Sequence, residues 1–98
     1  MQEFETLIEK AKKILDARTA ARDQALAQAR QLTRLSAHTI RAIHRDDATQ
    51  AEELLTEARI LTLNIQRDLA SFPDLYHAGY TQDAIKEFAE ASLTVALI

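Results

Sequence analysis

This chain has almost none of the residues that interrupt helices and none of the residues that cross-link chains. Among its 98 residues there is one Gly, one Pro, no Cys and no Trp. The lack of cysteine excludes disulfide bridges, thiolate metal sites and thiol nucleophiles, and it fits a reducing compartment. The scarcity of helix breakers predicts long helices, because the abundant Ala, Leu, Glu, Gln, Lys and Arg lose little rotamer freedom on a helix.

The sequence also lacks a strong net charge and a long apolar run. Its formal net charge is -3, so binding to nucleic acid would require a local basic patch. The longest apolar stretch, residues 91–98, is far shorter than the about 20 residues that span a bilayer. The first residues mix acids and bases and lack the apolar region of a secretory signal. We therefore expect a single domain over residues 1–98, cytoplasmic and without a membrane partner.

Two long helices follow from the hydrophobic periodicity. Apolar residues recur every three or four positions from residue 2 to about residue 45, and again from about residue 48 to residue 72. The short connection at residues 46–47 predicts an antiparallel hairpin of an all-α fold. The first helix would be about 65 Å long, which exceeds the span of a compact domain of this size. Part of it must therefore project, break or pack on another subunit.

A third helix is expected after a corner that contains the only Pro and the only Gly. Pro73 should end the second helix, because the residue before a proline disfavours the α conformation. Residues 71–80 then predict a turn with one short helical piece. Thr81 is the expected N-cap of the third helix, with Asp83 in its first turn. Beyond Glu90 this helix is apolar nearly all round, so we expect Glu90 at the point where the helix enters the interior.

An acidic group lies on one face of the third helix. Asp83, Glu87 and Glu90 occur at i, i+4 and i+7, within an arc of about 60°. Carboxylates at this spacing can converge on Mg²⁺, which typically takes one or two protein carboxylates and keeps several waters. The ion could activate water and neutralise charge on a phosphodiester. The alternative is a solvated helix face, paired with Lys86. The expected position of Glu90 at the edge of the interior favours a cation.

A row of basic residues follows one face of the first helix, within an arc of about 80° over about 22 Å. Its members are Arg30, Arg34, His38, Arg41 and Arg45. Guanidinium groups arranged along one ridge suit phosphates, which arginine can grip in bidentate fashion. The alternative is ion pairing across the hairpin with acidic residues of the second helix, for which Glu52, Glu53 and Glu57 are the obvious partners.

The remaining candidates are aromatic and histidine side chains. Tyr76 and Tyr80, beside His77, could stack on bases, or they could close the corner over the core. His38 and His44 are six residues apart and point to different faces, so they cannot chelate an ion together. The patterns HExxH, GxxxxGK[ST] and GxSxG are absent, which leaves zinc-based and nucleophilic chemistry without support.

Three segments together resemble the N-terminal half of the translin family: residues 21–45, the corner at residues 71–80, and the sequence IKEFAEA at residues 85–91. Their order and spacing match over essentially the whole chain. The last segment is similar to the E-Y-V-E-A motif of the family's catalytic branch, in which two glutamates bind metal. The resemblance implies that Glu87 and Glu90 are catalytic metal ligands, with Asp83 as an outer contributor.

The resemblance also implies an all-helical bundle that forms closed octameric shells, binds single-stranded RNA and DNA and, in the catalytic branch, cleaves RNA with Mg²⁺. Family members are longer and place a third catalytic acid beyond position 98, so we expect this chain to be a fragment or truncated form. The family's basic segment after the corner is replaced by HAGYTQDA, so the basic row would carry more of the binding.

Two other functions stay open from the residues alone. The chain could be a non-catalytic binding module that uses the arginines of the basic row. It could also be a purely structural hairpin that assembles through exposed apolar surface. Oligomerisation is expected in each case, because the long first helix and the apolar final segment exceed what the chain can bury by itself.

Overall fold

The computed structural model describes all 98 residues, and its regular elements are all helices. They are α1 (Gln2–His44), α2 (Ala48–Asp68), α3 (Pro73–Tyr76) and α4 (Gly79–Ala96). The prediction of an all-α fold with a long helical hairpin is confirmed. A membrane-crossing helix would need a longer apolar run than any of these four offers.

The connection between α1 and α2 is built by two consecutive aspartates. The backbone N–H of Asp47 donates to Ala42 O at 2.9 Å, and that of Asp46 donates to Ile43 O at 3.0 Å, which is the hydrogen-bond pair of a Schellman motif. Asp46 has a φ of 61°, a left-handed conformation that Asp tolerates better than most residues. The Asp47 carboxylate then accepts from the backbone N–H of Gln50 at 3.1 Å and caps α2.

Helix α4 packs against α1 and α2 to complete a three-helix bundle. Val95 of α4 packs with Ala42 and Ile43 of α1, next to the start of α2. Tyr80 packs with the core at the opposite end of the bundle, so α4 runs parallel to α1. The larger core cluster joins all the elements through buried apolar residues, which are Ala25, Ala29, Leu32, Ala58, Ile65, Leu69, Leu75 and Ala84.

The first half of α1 projects from the bundle, and Arg18 near its end forms hydrogen bonds with Asp74 of α3. Residues 2–20, which we call the overhang, are exposed along their whole length. The molecule therefore measures 68 × 18 × 15 Å and has a radius of gyration of 18.0 Å, whereas a compact chain of this length would have a value near 13 Å. The structure shows the first of the outcomes expected for a helix this long: α1 is unbroken, and part of it projects from the bundle.

The corner between α2 and α4 differs from the predicted one. Helix α2 ends at Asp68 rather than at Phe72. Pro73 does not terminate it but opens α3 as its first residue, where proline is favourable because no N–H is required. The earlier end of α2 lets the chain turn and bury Leu75 in the core.

The predicted N-cap at Thr81 is wrong. The N-cap of α4 is Ala78, three residues earlier, so the helix begins at Gly79, and no side chain caps it. Thr81 is buried, and its hydroxyl donates to Leu75 O at 2.8 Å. The Gln82 amide likewise donates to Tyr76 O at 2.8 Å. Both side chains satisfy carbonyls of α3, which is too short to satisfy its own, and they bind the corner to α4.

Polar contacts fix the bundle end from which the overhang emerges. The Arg18 guanidinium donates to both carboxylate oxygens of Asp74, and these hydrogen bonds hold the pKa of Asp74 below its ordinary value of 3.8. Asp68 accepts from Gln28 at 3.0 Å and from Gln24 at 3.3 Å. The Gln28 hydrogen bond is the main reason that the pKa of Asp68 is also lowered. These contacts tie α1 to α2 and α3.

Candidate nucleic-acid interface

Every member of the basic row (Arg30, Arg34, His38, Arg41 and Arg45) is exposed, on the outer side of α1. The two ion pairs in the structure are Arg18–Asp74 and Arg67–Asp68, so no member of the row is paired. The ion pairs across the hairpin that the sequence allowed are therefore not formed.

The side of α1 on which α2 packs explains why the basic row has no acidic partner. Gln28 of α1 meets Asp68 of α2, and Arg30 lies about 160° around the helix from Gln28. Helix α2 thus packs on the side of α1 that the row does not occupy. The acidic residues of α2 considered as partners, Glu52, Glu53 and Glu57, are exposed elsewhere. The guanidinium groups face solvent and are available to a ligand.

An open groove of about 430 Å³ lies between α1 and α4, next to the first arginine of the row. It is lined by Leu26, Ala29, Arg30 and Thr33 of α1 and by Tyr80 of α4. The Tyr80 ring is half-buried against the core, and its hydroxyl has no hydrogen-bond partner. The volume lies within the range of small-ligand sites. An apolar ring that carries a negatively charged group would fit this groove. The ring could pack on the apolar side chains, and the anion could contact the Arg30 guanidinium at the edge.

The acidic residues of α4 follow Tyr80 along the helix. Tyr80 and Glu87 are seven residues apart, so they lie within about 20° of each other on the helix surface. Because α4 runs parallel to α1, Glu87 sits about 10 Å further along α1 from the Tyr80 position, in the direction of Arg41. Glu87 is half-buried, while Asp83 and Glu90 are exposed. The line of the groove thus continues along α4 from Tyr80 towards Glu87, while Arg30 is the member of the basic row that stands at the edge of the groove.

The expected position of Glu90 is wrong. Glu90 is exposed, and so are Leu93 and Leu97 beyond it, at 62% and 84%. The helix does not enter an interior after Glu90, because α1 and α2 cover only one of its sides. The argument from burial for a cation at Glu90 therefore does not apply to this structure.

The carboxylates of α4 are free of protein partners. Asp83, Glu87 and Glu90 accept no hydrogen bond from a side chain and form no ion pair, which includes the pairing with Lys86 that the sequence allowed. No three His, Cys, Asp or Glu residues lie close enough to hold a metal ion together. Two carboxylates still match the donor chemistry of Mg²⁺, which completes its coordination shell with water. Magnesium thus stays a prediction that rests on Glu87 and Glu90.

The aromatic residues of the corner divide into two roles. Tyr76 packs on the core and meets the His77 ring edge-on, with centroids 5.1 Å apart, so it closes the corner over the core. Tyr80 instead lines the groove. Leu26 and Thr33 also line it, and periodicity did not single them out. The only signal in the sequence that could have identified them is that each lies three or four residues from Arg30 and Ala29 on the same helix.

These features define a small all-helical protein with an unpaired basic row on α1, unpaired carboxylates on α4 and a groove between Arg30 and Tyr80. Comparisons with protein-family models, curated proteins and solved structures return no match. The resemblance to the translin family therefore stays a prediction, and the functional argument depends on the groove itself.

Proposed function

We propose that this protein is a translin-like protein that binds single-stranded nucleic acid along the groove between α1 and α4. The observation that carries the proposal is the basic row, because four arginines and a histidine stand exposed on one ridge without an acidic partner. Unpaired guanidinium groups in a line provide the electrostatic track that sequence-independent binding to phosphates requires.

The groove favours a single strand over a duplex. Proteins that bind single strands combine a positive track for the backbone with aromatic surfaces on which bases stack. Here the Tyr80 ring and the apolar floor at Leu26 and Ala29 lie beside Arg30. A base could enter this groove while its phosphate contacts the arginine. Bases in a duplex are paired and stacked, and they are not available for such a contact.

The direct test is titration of the protein into a fluorescently labelled single-stranded oligoribonucleotide, followed by fluorescence anisotropy at several salt concentrations. We expect log K to fall linearly with log salt concentration, with a slope of about -2 to -3 if three or four arginines each neutralise one phosphate. The same titration with a DNA single strand and with duplex RNA ranks the ligands. Absence of binding at low salt, or binding without a salt dependence, would contradict the proposal.

Metal-dependent cleavage of RNA is a second candidate function, favoured by the unpaired carboxylates that follow Tyr80 along α4. Acidic groups beside a phosphate path repel the ligand unless a cation lies between them. Glu87 and Glu90 would hold Mg²⁺, with Asp83 as an outer contributor. When bound, the ion would supply an activated water and neutralise charge on the phosphodiester. The family resemblance would make the activity that of an endoribonuclease.

We expect Glu87→Gln to abolish Mg²⁺-dependent cleavage while leaving RNA affinity within about twofold of the parent, because glutamine keeps the size and removes the anionic ligand. Denaturing gels measure cleavage with Mg²⁺ and with EDTA, and native gels of the same samples measure binding. Glu57→Gln, an exposed carboxylate on α2, is the matched control. Equal cleavage by parent and Glu87→Gln would exclude the metal role. Binding without cleavage in the parent would leave a binding module.

The resemblance also supports assembly of several copies, as an octameric shell in the family. Exposed apolar side chains at both ends of the molecule support self-association. The overhang contributes Phe4, Leu7 and Ile14, and the opposite end contributes Leu93 and Leu97. Surfaces of this kind on small proteins commonly mark interfaces.

A further inference from the structure

The overhang carries an apolar stripe that nothing in the chain covers. Its five large side chains are each more than half exposed: Phe4 63%, Leu7 65%, Ile8 52%, Ile14 69% and Leu15 63%. They recur at three- and four-residue spacing, together with Ala11 between them. Ala25, Leu32 and Thr39, which are buried in the second half of α1, continue the same face of the helix at seven-residue intervals. The stripe is thus an extension of the face with which α1 packs in the bundle.

The size of the stripe is that of half an interface. Five such side chains expose on the order of 500 Å² of apolar surface, which is at the upper end of the largest patch on a typical monomer. Two stripes in contact would bury on the order of 1,000 Å², the lower limit for a specific protein–protein interface. A second copy therefore supplies enough matching surface.

The charges beside the stripe select the orientation. Residues 3–9 carry Glu3, Glu5 and Glu9, and residues 10–13 carry Lys10, Lys12 and Lys13. Asp16 and Arg18 follow closer to the bundle and balance each other in charge. A parallel pair would place like charges opposite each other, which destabilises. An antiparallel pair places the acidic segment of one copy opposite the basic segment of the other. It also points the two bundles, each wider than one helix, away from each other.

We propose that two copies of this chain pair through antiparallel overhangs. The pair is centred near residue 9, with Phe4 of one copy against Ile14 of the other and Leu7 against Ala11. Glu5 then lies opposite Lys13 of the second copy. The proposal does not depend on nucleic-acid binding. If the proposed function also holds, the dimer presents a groove at each end and binds a long strand with two sites.

Cysteine cross-linking tests the orientation cleanly, because the natural chain has no cysteine. In an antiparallel pair, Ile8→Cys lies near the centre and should form a disulfide dimer with itself. Phe4→Cys should not cross-link to itself but should cross-link to Ile14→Cys when the two variants are mixed. Efficient self-cross-linking of Phe4→Cys with none for the mixed pair would show a parallel arrangement and overturn the proposal.

Light scattering coupled to size-exclusion chromatography measures the association itself. We expect a dimer at tens of micromolar protein and at least a tenfold weaker dimerisation for Leu7→Glu with Ile14→Glu. Both residues lie outside the bundle, so circular dichroism should show that the variant stays folded. Leu63→Glu, exposed at 60% on α2, is the control and should dimerise like the parent. A monomeric parent, or equal association of all three proteins, would refute the proposal.

Discussion

Replacing Arg34 and Arg41 together with Ala is expected to weaken binding to single-stranded RNA by about 20-fold at about 0.1 M salt. Each arginine that leaves a phosphate contact removes about 0.7 from the slope of log K against log salt concentration for a single strand. The double variant should therefore show a slope smaller by about 1.4. Both side chains are exposed and unpaired, so their loss should not change the fold.

The matched control for this pair is Arg59→Ala with Arg67→Ala on α2. It removes the same charge from exposed positions outside the groove. This control also removes the ion pair between Arg67 and Asp68. Because the Arg67 side chain is exposed, the pair contributes little to stability. If the two double variants lose affinity equally, binding follows net charge alone. In that case the basic row is not the interface.

The largest effect on stability is expected from Leu32→Ala. Leu32 is fully buried in the larger core cluster of the bundle. Truncation of a leucine at such a site costs about 2–5 kcal/mol of unfolding free energy, because the lost contacts leave a cavity that relaxes only in part. A small domain typically has about 5–15 kcal/mol in total. The variant should therefore be marginally stable, with a large fall in the urea midpoint followed by circular dichroism.

Leu63→Ala is the control for this prediction. Leu63 is 60% exposed on α2, and surface substitutions usually change stability by less than about 0.5 kcal/mol. A loss below about 1 kcal/mol for Leu32→Ala would be incompatible with the packing of α1 between α2 and α4.

The two long helices could be predicted because their signals are local. Few residues interrupt α1 or α2, and Asp46 and Asp47 form the break between them. The end of α2 could not be predicted in this way, because Leu69 and Phe72 continue its apolar spacing. Burial of Leu75 in the core requires the chain to turn earlier. The role of Thr81 was missed for a similar reason, since its hydroxyl donates to a carbonyl that approaches only in the folded corner.

The residues of the candidate site also divide into those that local sequence signals predict and those that only the folded structure identifies. The sequence by itself determined the basic row and the acidic face, because helical periodicity alone places residues three, four and seven apart on one side. Only the tertiary structure decided that Arg30 borders a groove with Tyr80, Leu26 and Thr33. It also decided that the row stays unpaired and that Glu90 stays exposed. The physical reason is that periodicity defines faces, whereas packing of whole helices decides which face meets a neighbour and which meets solvent.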